Sequence, residues 1–147
     1  MLVKKINGQV LTVLDLDQPI TATLTQIVID KGIKGGHITG IGAVKDVQLG
    51  YYELHKKDYI RKTFSDEDYE LISMNGNITL RNGVPYVHVH AAIGNSQFQV
   101  FGGHLFEAKV AVTVEVFITP LGVMPERFLS SHLGLAVIGH CPLISSQ

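Results

Sequence analysis

One cysteine, Cys141, and no tryptophan occur in 147 residues. A single thiol cannot form an intrachain disulfide, and in an apolar C-terminal stretch it reads as a small buried hydrophobe and not as a nucleophile. Charge is also scarce: charged residues make up 17% of the chain and the formal net charge is −1. That balance excludes a broadly basic surface of the kind that grips phosphate backbones. The one local concentration, Lys56, Lys57, Arg61 and Lys62, also holds Asp58. It reads as a solvated strand edge or loop, with DNA contact the lesser reading. Long apolar runs are missing too. Met1-Leu2-Val3-Lys4-Lys5 is not followed by the stretch that a signal peptide or membrane span needs. A cytoplasmic protein without membrane contact is therefore expected.

Hydrophobic residues make up 46% of the chain, which excludes disorder and fills a core. No linker, repeat or low-complexity tract interrupts the sequence, so one domain over residues 1–147 is expected. Residues 10–14 read as a strand. Pro19 then opens a helical pattern with Ile20, Leu24, Ile27 and Val28 on one face and Gly32 at the C-terminal cap. Beyond Gly35 the period changes to two. Short strands are expected at 37–44, 47–54, 59–64, 70–80, 84–93, 98–105 and 109–119. Asn82-Gly83 marks a tight hairpin, and a second turn falls near Asn95-Ser96-Gln97. The tail from Glu126 carries Leu129, Leu133 and Leu135 and suggests a short helix. The fold class is α/β of the α+β type: a mostly antiparallel sheet with one main packed helix. Gly40-Ile41-Gly42 is not a dinucleotide fingerprint, because the third glycine is missing and the segment follows a helix instead of opening one.

The chemistry concentrates in histidine. In His88-Val89-His90 strand alternation puts both imidazoles on one face, with Val87 and Val89 on the other. If the following turn is the three residues 95–97, His104 lies opposite His88 on that same face. A two-residue turn would turn it away unless Gly102-Gly103 forms a bulge. Three neutral imidazoles suit a divalent transition metal, zinc first and iron or nickel next, and leave a coordination position open. Affinity for such an ion is expected to fall as pH drops through roughly 6.5. Glu115, set among valines, is the candidate catalytic acid or base or further ligand. His37 precedes a strand and reads first as a surface or capping residue and only second as a loop ligand, His55 reads as exposed among charges, and His132 and His140 match no metal template. Across the Asn82-Gly83 turn Asn77 should face His88 and Asn75 should face His90, in ordinary strand-edge roles.

Gly40-Ile41-Gly42-Ala43-Val44, Glu70-Leu71-Ile72-Ser73-Met74-Asn75-Gly76-Asn77, His88-Val89-His90, Gly102-Gly103-His104-Leu105 and Val114-Glu115-Val116 occur in that order. Together they resemble the PPC domain shared by plants and prokaryotes, over residues 10–119, with 120–147 as a tail. The resemblance implies an α/β domain that forms homotrimers and a metal held by His88, His90 and His104. Plant relatives join the domain to an AT-hook, and no Arg-Gly-Arg-Pro hook occurs here. The implied fold is similar to that of acetolactate decarboxylase, a zinc enzyme. Three readings follow: a trimeric metal-binding module for a small molecule or protein partner, a metal-dependent lyase or hydrolase, and a DNA-associated regulator.

Overall fold

The computed structural model describes residues 1–123 and 126–139. Strands β1 (Leu2–Ile6) and β2 (Gln9–Leu14) form a hairpin through Asn7 and Gly8, both with positive φ. One helix follows, α1 (Ile20–Asp30), and then β3 (Gly36–Glu53), β4 (Asp58–Phe64), β5 (Tyr69–Arg81), β6 (Val84–Gly94) and β7 (Val100–Pro120). The main sheet runs β1-β2-β7-β6-β5-β3-β4, all antiparallel, and β7 also pairs with β3. The circuit β7-β6-β5-β3-β7 therefore closes on itself, which leaves few free sheet edges.

Two of the expected breaks are bends inside long strands. The gap between 44 and 47 is a bulge at Asp46, where φ is +50°, and β3 continues through it for 18 residues. The gap between 105 and 109 is likewise absorbed into the 21 residues of β7. Bulges let one strand wrap a curved sheet without ending. Gly40-Ile41-Gly42 lies inside β3, where a Cβ on Gly40 would stand 3.0 Å from the Glu115 carbonyl, so close backbone packing accounts for that glycine. The tail departs from expectation in kind. Its described residues form a second two-stranded sheet, β8 (Arg127–Ser130) with β9 (Leu135–Ile138), and no helix. Leu133 and Gly134 sit in its turn, so the leucine spacing that suggests a helix belongs to a hairpin. His140 and Cys141 lie outside the described residues.

The core is one apolar cluster. Ile20, Leu24, Ile27 and Val28 of α1 are buried, as are Val87, Val89, Ala91 and Ile93 of β6 and Val110, Val114, Val116 and Ile118 of β7. The first turn of the helix is also fastened to the sheet by a polar clasp. Pro19 leaves the first turn without a side-chain cap. The Glu107 carboxylate on β7 fills that role, accepting from the Thr21 amide at 2.7 Å and the Ala22 amide at 3.1 Å. An anion on unpaired helix amides is favoured by both hydrogen bonding and the helix dipole. The far end closes as expected, with Gly32 at φ +63° past the last turn. No helix among the described residues is long and apolar enough to cross a membrane.

Glu107→Ala should lower the unfolding free energy by about 1–2 kcal/mol, and Glu107→Gln by less, because one amide acceptor survives. Urea titration decides it: a wild-type midpoint for Glu107→Ala would mean the carboxylate does not anchor the helix.

Candidate metal centre

On β6 the side chains of Val87, Val89 and Ala91 enter the core, and His88 and His90 project from the other face. The Asn82-Gly83 turn has φ +53° and +74°, as a tight hairpin between right-twisted strands requires. Its register sets Asn77 opposite His88 and Asn75 opposite His90, as the sequence implies. The next turn is longer than expected. It spans residues 95–99, where the Asn95 side-chain oxygen accepts from the Gln97 and Gln99 amides, and pairing resumes at Gly94 with Val100. His104 therefore faces His90 and not His88, and Gly102-Gly103 carries no bulge. The register is displaced by two residues, which preserves the face.

The three rings converge. Their centroids are 5.0 Å apart for His88 and His104, 5.2 Å for His88 and His90, and 5.4 Å for His90 and His104. One donor atom from each lies within 4.8 Å of the others. His104 is 9% exposed, wedged between Phe106, with centroids 4.8 Å apart, and Tyr59, at 5.2 Å. Gly50, paired with His104, makes that wedge fit: a Cβ there would stand 2.5 Å from the Phe106 ring and 2.8 Å from Tyr59. The buried His104 Nδ1 has no hydrogen-bond partner among the described residues. A buried polar atom left this way costs free energy unless something outside the chain satisfies it. Three imidazoles, one of them with an orphaned nitrogen, fit a transition metal held by nitrogen donors.

Burial and neighbouring charge keep two of the rings, those of His88 and His104, neutral. His88 is lowered from 6.5 to about 4, first by desolvation and then by Arg127, His104 and His90. His104 is lowered from 6.5 to about 4 by desolvation, His90, Arg127 and Arg61. This revises the expectation of lost affinity near pH 6.5: proton competition at these two rings sets in nearer pH 4.

Sequence reasoning missed Arg127. It comes from β8 and is 8% exposed. Its Nη2 reaches Asn77 Oδ1 at 2.9 Å and His88 Nδ1 at 3.0 Å, Nε donates to Thr79 Oγ1 at 2.8 Å, and Nη1 to the Ala136 carbonyl at 3.1 Å. Its guanidinium carbon lies 5.4 Å from the Tyr86 ring centroid. Asn77 thus has a specific partner, beyond an ordinary strand role. A β-strand Arg in a tail gives no sequence signal, since nothing local says that β8 folds back over β5.

The cavity around these groups holds about 470 Å³ and takes in Arg61, Arg81 and Arg127 with Tyr52, Tyr59 and Tyr86. No Asp or Glu lines it among the described residues. Glu115 is not brought to it. That residue lies on the far half of β7, paired with Val13 and Ile41, roughly 35 Å of extended chain beyond His104. It is exposed, beside Thr39, Ile41 and Phe117. His37, His55 and His132 are exposed and apart from the cluster. The basic stretch is engaged within the chain: Lys56 pairs with Glu53, Lys57 donates to the Ser131 carbonyl, Arg61 stacks 3.9 Å from the Phe106 centroid and Lys62 lies 4.7 Å from that of Phe64.

The sequence pattern of the Plants and Prokaryotes Conserved (PCC) domain matches residues 3–122. Among solved structures, a metal-containing protein from Archaeoglobus fulgidus is 34% identical, with a TM-score of 0.84 over 94% of this chain and 98% of that one. A protein from Bacteroides thetaiotaomicron, described as a candidate DNA-binding protein, is 29% identical, with a TM-score of 0.89 over 93% of this chain and 95% of that one. α-Acetolactate decarboxylase from Bacillus subtilis shares the fold at 18% identity and a TM-score of 0.56, over 87% of this chain and 59% of the enzyme. A search of curated proteins returns no match.

With metal removed by a chelator, stability should be highest above pH 6.5 and fall as pH drops towards 4. The unfolded chain gains protons on His88 and His104 in that window and the folded chain does not. Each ring contributes at most about 1.4 kcal/mol per pH unit, less where solvent reaches the pocket mouth. Denaturant midpoints at pH 7.5 and pH 5 measure it; equal midpoints would mean the rings are not held neutral.

Proposed function

This chain belongs to the Plants and Prokaryotes Conserved (PCC) domain family, and from that premise we propose a metal-binding domain, assembled as a homotrimer, that takes a small anionic molecule at its three-histidine pocket. The convergence of His88, His90 and His104, with His104 Nδ1 buried and unpartnered, carries the reading. Zinc suits three neutral imidazoles best, and iron and nickel accept the same donors. A bound ion would supply an open Lewis-acid position. The rest of the pocket selects for negative charge. Three arginines and no carboxylate line it among the described residues, and no carboxylate contacts the buried Arg127 there. A buried cation without a counter-charge is costly, and an incoming anion relieves that cost.

The homotrimer rests on an exposed apolar surface over β3 and β7, where Ile41, Val112 and Phe117 are 57%, 69% and 42% exposed. Apolar surface on a sheet face favours self-association. A lyase or hydrolase reading draws on the same open metal position. It would need a proton-transfer group in the pocket; Glu115 is not there, which leaves that role to Tyr52, Tyr59 or Tyr86. A DNA-associated role finds weaker support, because the basic stretch is already committed to contacts within the chain.

Elemental analysis of untagged, chelator-free protein should find about one divalent transition-metal ion per chain, lost in both His88→Ala and His104→Ala. Native protein that stays metal-free after incubation with zinc, iron and nickel would sink the reading. Sedimentation equilibrium of the same sample should give three chains per particle.

A further inference from the structure

Arginine has no acceptor, so the 3.0 Å contact between Arg127 Nη2 and His88 Nδ1 can only run from guanidinium to ring. His88 therefore accepts at Nδ1 and carries its one proton on Nε2. A neutral imidazole has a single ring lone pair, and a metal ligand must offer that same pair. If an ion takes Nδ1, it occupies the position of Arg127. If it takes Nε2, the proton moves to Nδ1, where it meets the Nη2 donor head-on. Both routes break the hydrogen bond.

Resting on the metal reading above, we propose that Arg127 and the metal compete for the lone pair of His88, so that loading the site releases Arg127 to receive an anion. The geometry makes such release local. Nη2 is shared between His88 and Asn77, while Nε and Nη1 stay fastened to Thr79 and Ala136. The guanidinium loses one hydrogen bond and keeps its place at the pocket wall, against Tyr86. Arg127 also lies beyond residues 3–122, the span that matches the family pattern, so the competitor comes from the tail and the ligands from the shared domain. Metal and anion are then coupled: an anion that holds Arg127 removes the competitor and tightens the metal, and the metal improves the anion site equally.

Two measurements on the full chain test this, with zinc alone as the probe. In chelator-treated wild-type protein, long-range ¹⁵N correlation spectra should show His88 with Nδ1 unprotonated and its proton on Nε2, and zinc should either move that proton to Nδ1 or shift the Nδ1 resonance to that of a metal-bound nitrogen. A proton on His88 Nδ1 before zinc is added would overturn the proposal, whatever the variants do. In zinc titrations Arg127→Met should bind about tenfold tighter than wild type, since a charge-assisted competing hydrogen bond is gone. Arg61→Met, which removes a pocket charge without touching His88, should change affinity far less. Equal tightening in both variants would reduce the effect to charge alone and overturn the competition. Unchanged or weaker binding by Arg127→Met would overturn it too. Failure of the wild type to bind zinc would instead remove the metal reading on which the proposal stands.

Discussion

Side chains on a strand alternate between two faces, and on β6 that alternation divides Val87, Val89 and Ala91 from His88 and His90. The apolar row is fixed by burial against α1 and the rest of the core. The histidine row is fixed only because it is the other side of the same strand. On β7 the constraint works again: Leu105 enters the core, so His104 must lie on the opposite face, where it is buried in the pocket. The site is thus positioned by the hydrophobic core, with no need for the imidazoles to find one another. Pairing of β6 with β7 then places the third ring beside the first two. Gly50 leaves the space in which Phe106 and Tyr59 press on it.

The electrostatics follow from that placement. Burial holds His88 and His104 neutral, which a metal needs and a pH sensor near neutrality would not. Glu107, three residues past His104, is turned away to the amides of α1. The nearest acid in sequence is therefore committed to fastening the helix, and the pocket is left with arginine, tyrosine and histidine. Each group in such a pocket is best satisfied from outside: a cation for the rings and an anion for the guanidinium.

Much of this is legible in the sequence because strand alternation needs no tertiary knowledge. His88, His90, the Asn82-Gly83 turn and the facing Asn75 and Asn77 follow from it directly. His104 is placed on the correct face with the wrong partner, since Asn95 caps a longer turn and moves the register by two. Periodicity fails where structure is decided at long range. The bulge at Asp46 joins two expected strands into one, and the tail leucines belong to a hairpin whose strand β8 packs on β5. Glu115 looks out of place among valines, yet β7 is long enough to carry it to a different surface. Arg127 could not be found from its neighbours, because its partners Thr79, Asn77 and His88 are all far away in the chain.

The turn at 95–99 limits how this chain can change over evolutionary time. A register slip of one residue between β6 and β7 would drive an imidazole into the core and put Leu105 into the pocket, losing both at once. A slip of two returns the histidine to its face, facing a different ligand. Insertions in this turn can therefore survive singly only when the loop swallows them. Those that reset the strands are tolerated in pairs, so the site's ancestry should be written in even-numbered gaps.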